Sequence, residues 1–169
     1  MPKPLIADKA YPPIKGLRPD ALSLRIISPA YSSQVGELNA ILQYFYHSLC
    51  FDKNGFSDYS EKLMSIAIAE MDHLHILGET ILALGAAPVF TQYPPGCFNF
   101  YSTKYVSYSR SLKNMLEDDI IGEKQAIAGY ERMAARLKNE RVREIIMRIT
   151  EDEKLHLATL ENMLCEFNI

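Results

Sequence analysis

The sequence predicts an all-α fold: four long helices in an up-down-down-up bundle, with a long crossover between the second and third. Two observations carry that expectation. The stretch GELNAILQY at 36–44 returns as GEKQAIAGY at 122–130, with Gly, Glu, Ala, Ile and Tyr in the same places. Each copy precedes a second helical segment carrying Glu-x-x-His, Glu70-Met71-Asp72-His73 in one half and Glu153-Lys154-Leu155-His156 in the other. The chain therefore reads as one helical hairpin written twice, with the same polar pattern in both copies.

Residues 1–27 are expected as an extended N-terminal arm and 28–169 as the bundle. The first 20 residues hold five prolines and little periodicity. The arm reads either as a disordered tail or as a segment packed on a neighbouring subunit, and Leu5, Ile6, Tyr11 and Ile14 make it more apolar than a typical tail. A short helical turn is expected at 19–27.

Ser28-Pro29 is a helix start signal, with Ser as the cap and Pro at the first helical position. The first helix runs from there to about residue 52, with Glu37, Ile41, Tyr44 and Ser48 on one stripe. Asp52-Lys53-Asn54-Gly55 is a turn, which makes the first two helices antiparallel neighbours. Ser57 is the candidate cap of the second helix, which ends at about Leu84 before Gly85. Its inward stripe is Leu63, Ile66, Glu70, His73, Leu74, Leu77 and Ile81. A helix of roughly 28 residues is roughly 42 Å long, which suits a long bundle.

Residues 86–108 hold three prolines, one glycine and many aromatics. This is too long for a tight turn, so it is expected as the crossover that makes the second and third helices parallel. Its aromatics suit either a subunit interface or packing on the bundle. The third helix covers about 109–137, with Leu112, Leu116, Asp119, Glu123, Ile127, Tyr130 and Ala134 inward. Lys138-Asn139 is the next turn, with Asn able to take a left-handed cap. The fourth helix covers about 140–166, with Ile146, Ile149, Glu153, His156, Leu160 and Met163 inward.

Composition excludes several classes. A chain of 169 residues is one domain of ordinary size, and its net charge of −3 gives no reason to expect nucleic acid as a partner. No apolar run reaches 18 residues and no signal-peptide core opens the chain, so no membrane partner and a cytoplasmic location are expected. Cys50, Cys97 and Cys165 lie far apart and form no C-x-x-C, which argues against a zinc ribbon or rubredoxin-type site.

The chemistry lies in six residues: Glu37, Glu70, His73, Glu123, Glu153 and His156. Residues three apart share a helix face, so each Glu-x-x-His can aim both side chains at one atom. Carboxylate and imidazole together suit a borderline or hard divalent cation. A Glu from each of two helices plus a Glu-x-x-His from each of the other two is the inventory by which di-iron and di-manganese carboxylate bundles are described, and the assignment matches that pattern. Four carboxylates also balance the charge of two divalent cations in a low-dielectric core. Without metal, some of those crowded carboxylates should carry protons.

Other residues have plainer readings beside functional ones. His75 points about 200° away from His73 and reads as a surface residue. His47 lies near the end of the bundle and reads as structural. Tyr44 and Tyr130 each follow a candidate ligand Glu by two turns. Each is either a core tyrosine with one hydrogen bond or a phenol that bonds a ligand carboxylate and supplies an electron; Tyr44 is the candidate catalytic residue, Tyr130 the core one. Asp119 and Asp152 are candidate acceptors for the outer N–H of the metal-bound imidazoles.

The segments GELNAILQYFYHS and EMDH resemble those of bacterioferritins, and the helices over about 30–165 are similar to those of the ferritin-like superfamily, which includes rubrerythrins and manganese catalases. The resemblance implies terminal ligands at Glu37 and Glu123, bridging carboxylates at Glu70 and Glu153, and imidazole ligands at His73 and His156. It also implies two iron ions, or two manganese ions, as cofactor. In bacterioferritins a Met at the place of Met71 binds haem between two subunits; an ordinary core methionine is the alternative. The chain departs from rubrerythrins at Ile120 and Ala126, where no extra glutamate stands, and from manganese catalases in having Glu153. The short fifth helix of bacterioferritins is not expected here. Three functions remain in view: a redox enzyme consuming peroxide or oxygen, expected as a homo-oligomer and specifically a dimer; a ferroxidase that stores iron in a shell; and a metal-free structural bundle.

Overall fold

The computed structural model describes residues 2–91, 96 and 98–167. Among these, five α-helices carry the fold: α1 (Ala21–Ser32), α2 (Glu37–Lys53), α3 (Ser57–Ala83), α4 (Leu112–Arg136) and α5 (Glu140–Phe167). The last four are the bundle helices that the sequence predicts.

The first long helix differs from expectation. It does not start at Ser28-Pro29. Asp20 caps α1 instead, its carboxylate accepting from the Leu22 and Ser23 N–H groups at 3.1 Å each. The Ser28 hydroxyl donates to the Leu24 carbonyl inside the helix, and Pro29 sits in the last turn of α1, which ends three residues later. The chain then bends and restarts as α2, with Gly36 at its N-cap. A Cβ at Gly36 would lie 2.6 Å from the Ala30 carbonyl oxygen, so this close return of the chain needs glycine. Helix α1 thus spans the expected junction at 27 and 28.

Two caps also differ. Phe56, not Ser57, takes the N-cap of α3, and the Ser57 hydroxyl donates to Asp52. Asn139 takes no left-handed conformation; its side-chain oxygen accepts from the Val142 N–H at 3.3 Å and opens α5. Gly85 (φ +99) ends α3 as its position implies.

Helix directions follow from the contacts across the bundle. Between α2 and α4, Glu37 meets Tyr130, Tyr44 meets Glu123 and His47 meets Asp119, so the numbers rise on one side and fall on the other. Between α3 and α5, His73 meets Asp152 and Tyr59 meets Met163, again antiparallel. With α2 and α3 joined by a tight turn, α3 and α4 must be parallel, and the segment between them crosses the length of the bundle. That crossover packs on α1 and α2: Phe90 stacks on Tyr31 and the Ser32 hydroxyl donates to the Thr91 carbonyl, both on α1, while Tyr101 donates to Asn39 of α2 at 2.8 Å. Phe98 and Phe100 remain exposed. The expected crossover residues 92–95 and Cys97 lie outside the described residues.

The apolar core has two parts. One contains Ile27, Leu77, Ile81, Ile145, Ile146 and Ile149. The other contains Phe51, Leu63, Ile66, Leu116, Leu160 and Met163. Between them lies one polar layer, flanked on α3 by Ile66 and Leu77 and on α5 by Ile149 and Leu160. Among the described residues no helix is long and apolar enough to cross a membrane.

Candidate metal centre

Helix geometry builds the layer. Glu37 enters from the first turn of α2 and Glu123 from the middle of α4. Glu70 and His73 share one face of α3, as Glu153 and His156 share one face of α5. All six are buried, none more than 4% exposed. The fold brings them together in two groups, Glu37, Glu70, His73 and Glu153 in one and Glu70, Glu123, Glu153 and His156 in the other; within each, the ligating atoms lie within 4.8 Å of one another. Glu70 and Glu153 belong to both.

Both imidazoles turn Nδ1 inward. His73 Nδ1 lies 3.1 Å from Glu70 and 3.4 Å from Glu153. His156 Nδ1 lies 3.1 Å from Glu153 and 3.2 Å from Glu70. Each Nε2 points outward, His73 to Asp152 at 3.1 Å and His156 to the Leu5 carbonyl at 2.8 Å. The two phenols are placed reciprocally: Tyr44 donates to Glu123, and Tyr130 donates to Glu37.

Two features fit this donor set to a pair of cations. Nitrogen and carboxylate oxygen converge in two four-atom groups sharing two members, as bridging carboxylates require. In addition, Glu153 Oε1 is buried with no hydrogen-bond donor. His73 Nδ1 stands 3.4 Å from it without hydrogen-bond geometry. A buried carboxylate oxygen left in that state is costly unless a cation compensates it.

The electrostatics show the strain of four carboxyls in one layer. Burial pushes Glu37 well above its ordinary value, and the Glu70 and Glu153 charges push the same way. Burial, then Glu153, pushes Glu123 up to about 8. Burial would raise Glu70 too, but the His156 and His73 imidazoles outweigh it and hold that carboxyl well below its usual range. Burial lowers both imidazoles, yet the carboxyls around them, with Asp152 beside His73, hold them well above theirs. The layer therefore retains protons that incoming cations would displace.

Several neighbours depart from their sequence readings. Asp119 does not reach an imidazole of the centre. It pairs with buried His47 Nδ1 at 2.9 Å and accepts from half-buried Gln43 at 2.8 Å. The one-turn spacing from Glu123 places Asp119 beside α2, not beside His156. His47 is buried, as a structural residue would be, but its partner was not legible. Tyr130, expected as a core tyrosine, bonds a carboxylate of the layer just as Tyr44 does. Met71 is 45% exposed on the outer face of α3, so it is neither a core methionine nor part of the buried cluster. His75 is on the surface beside Glu79. Sequence reasoning missed Ala7 and Arg148, and it gave Leu5 and Tyr11 no role here. The apolar content of the arm was the only signal.

A sequence profile described as the ferritin-like domain matches residues 33–168. The chain belongs to the ferritin-like domain family. No curated protein matches this ferritin-like chain in sequence. Its fold is similar to the manganese catalase KatB from Anabaena, with TM-score 0.79 and 19% identity over 96% of this chain and 80% of that one. It is also similar to Mycobacterium tuberculosis bacterioferritin BfrA, with TM-score 0.73 and 22% identity over 89% of each chain. At these identities the likeness is one of fold, and the helical bundle is what it establishes. The ferritin-like bundle also holds a buried carboxylate and imidazole cluster of a kind that could bind metal.

Proposed function

We propose that this ferritin-like chain is a two-metal oxidoreductase acting on peroxide or oxygen. One observation carries the reading: the two four-atom ligand groups share Glu70 and Glu153, and all four of their glutamates line a cavity between α2 and α4. The assignment is Glu70 and Glu153 as bridging carboxylates, Glu37 and Glu123 as terminal ones, and His73 and His156 as imidazole ligands. Iron and manganese both suit this set, and supply decides between them. Bound there, a metal pair supplies two-electron redox chemistry toward an O–O bond.

The remaining work falls to the chain. The cavity, of about 200 Å³, is lined by Asn39, Gln43, Tyr44, Glu123 and Tyr130. Water takes roughly 30 Å³ in the liquid, so this space suits an oxidant of a few atoms. Tyr44 is the proposed catalytic residue. Burial, with Glu123 next to it, holds its phenol well above the ordinary value, so it keeps its proton against Glu123. From that wall of the cavity it can give an electron to the bound oxidant, with the Glu123 carboxylate placed to take the phenol proton. The apolar clusters above and below shield the layer from water, and the cavity opens onto it.

The likeness to a manganese catalase over nearly the whole chain supports peroxide as the oxidant. The likeness to bacterioferritin over 89% of both chains favours the second reading, a ferroxidase of an iron store. A homodimer is the proposed assembly, because Phe45, Leu49 and Met71 leave apolar surface on α2 and α3 that a second copy would cover. Free Cys50 and Cys165 support a reducing, cytoplasmic setting.

The test is metal analysis of the native protein together with its solution mass and peroxide consumption. Two iron or manganese ions per chain, a small oligomer and peroxide turnover are expected. A protein that stays empty when supplied with either metal overturns the proposal. A large particle holding iron far beyond the ligand set moves the function to the ferroxidase.

A further inference from the structure

The N-terminal arm covers the α3–α5 side of the polar layer and reaches the outer end of each imidazole. His156 Nε2 meets the Leu5 carbonyl at 2.8 Å. His73 Nε2 meets Asp152 at 3.1 Å, and the arm holds Asp152 in turn. The Ala7 N–H donates to Asp152 Oδ1 at 2.7 Å, and the Tyr11 hydroxyl donates to Oδ2 at 2.5 Å. Arg148, 2% exposed, ties the arm down from below. Its Nε donates to the Lys9 carbonyl at 2.8 Å and its Nη2 to the Ala7 carbonyl at 2.9 Å, while Nη1 lies 2.7 Å from Asp152 Oδ1. The guanidinium also sits over the Tyr11 ring at 4.3 Å.

A segment that served only to cover apolar surface would bring side chains to the bundle. This one brings a carbonyl, an amide N–H and a phenol to the groups that set the direction of both imidazoles. A metal-ligating histidine needs its outer N–H satisfied, because that bond fixes the tautomer and the ring orientation. The Ala7 N–H and the Tyr11 hydroxyl hold the two Asp152 oxygens in the position that serves His73, adding to the hold of Arg148 on Oδ1. The Leu5 carbonyl can serve His156 only while the arm lies in place.

We propose that residues 5–11 are a positioning element of the metal centre, so that docking of the arm and occupation of the centre are thermodynamically coupled. The inference rests on the metal-centre reading above. Coupling is reciprocal: if the docked arm tightens metal binding by some factor, bound metal tightens the arm by the same factor.

The test uses the full chain, stripped of metal and titrated with cobalt(II) alone. Affinity and the visible cobalt spectrum are read for the wild type, Tyr11→Phe, Ala7→Pro and Ala7→Ser. Hydrogen exchange over residues 2–12 is read with and without cobalt. Tyr11→Phe removes one hydroxyl at almost constant shape, and Ala7→Pro removes the N–H that Ala7→Ser keeps. The expected result is a loss of about tenfold or more in cobalt affinity for Tyr11→Phe and Ala7→Pro, with a shifted spectrum. Ala7→Ser should match the wild type, and cobalt should slow exchange of the Ala7 amide in the wild type. If Ala7→Pro fails to fold, by circular dichroism, Tyr11→Phe decides. Unchanged affinity and spectrum in Tyr11→Phe, with arm exchange indifferent to cobalt, overturn the inference and leave the metal centre standing. A wild type that binds no cobalt overturns the metal-centre reading itself.

Discussion

The Tyr44 hydroxyl on α2 donates to the Glu123 carboxylate on α4, across the bundle. The repeat makes this one half of a pair, since Tyr130 on α4 returns the bond to Glu37 on α2. Each copy of G-E-x-x-A-I-x-x-Y thus presents its own Glu to the layer and its Tyr to the Glu of the other copy.

Replacing Tyr44 by Phe removes a donor from a buried carboxyl and leaves the ligand atoms in place. Metal content should stay at the wild-type level, and peroxide turnover should fall about tenfold, equivalent to ~1.4 kcal/mol in the barrier. Parallel metal analysis and kinetics check this. Full turnover in the variant would remove Tyr44 from the chemistry.

Glu70→Ala or Glu153→Ala takes away a carboxylate common to both ligand groups. Two-metal binding should be abolished while circular dichroism still reports a helical protein. Either variant binding two metals per chain would refute the bridging assignment.

The pH dependence of the metal-free protein has a definite sign. Glu123 stands at about 8 against an ordinary 4.5, and both imidazoles stand above 6.5. A raised group contributes stability that is present below its unfolded pKa and lost as pH climbs through the folded one. The Tm of the metal-free protein should therefore fall as pH rises from about 6 to about 9. Asp152 works in the opposite direction at low pH. Burial would raise it, but bonds from His73, Arg148, Tyr11 and the Ala7 N–H hold it well below its usual range. That contribution is present above the ordinary carboxyl value of 3.8 and fades as pH drops below it. Cations displace the protons of the layer, so loading with manganese should flatten the alkaline fall and release protons in calorimetry. A Tm that climbs with pH in the stripped protein would show the signs to be wrong.

Gly36→Ala places a methyl 2.6 Å from the Ala30 carbonyl oxygen. Backbone on both sides must shift, at a cost of about 1–3 kcal/mol. For a chain of this size each kcal/mol lowers Tm by ~2–4 °C, which thermal melts would show. An unchanged Tm would mean that the junction between α1 and α2 is looser than its contacts imply.

The sequence by itself determined the bundle and the six convergent side chains. Both follow from one short-range rule: on a helix, Glu70 and His73 must share a face, and so must Glu153 and His156, whatever else the chain does. The repeat of Gly36–Tyr44 at Gly122–Tyr130 then placed the other two carboxylates. Tertiary structure alone decided the rest, because it depends on which backbone groups come near in space. Ser28-Pro29 satisfies every local condition for a helix start, yet Asp20 captures the free N–H groups eight residues earlier and the close return at Gly36 breaks the rod. Asp119 has the right spacing for an imidazole of the centre and meets His47 instead. The Leu5 carbonyl reaches His156 across 151 positions in the chain. A backbone carbonyl has no residue type to reveal it, so only the folded path of the arm could show that contact.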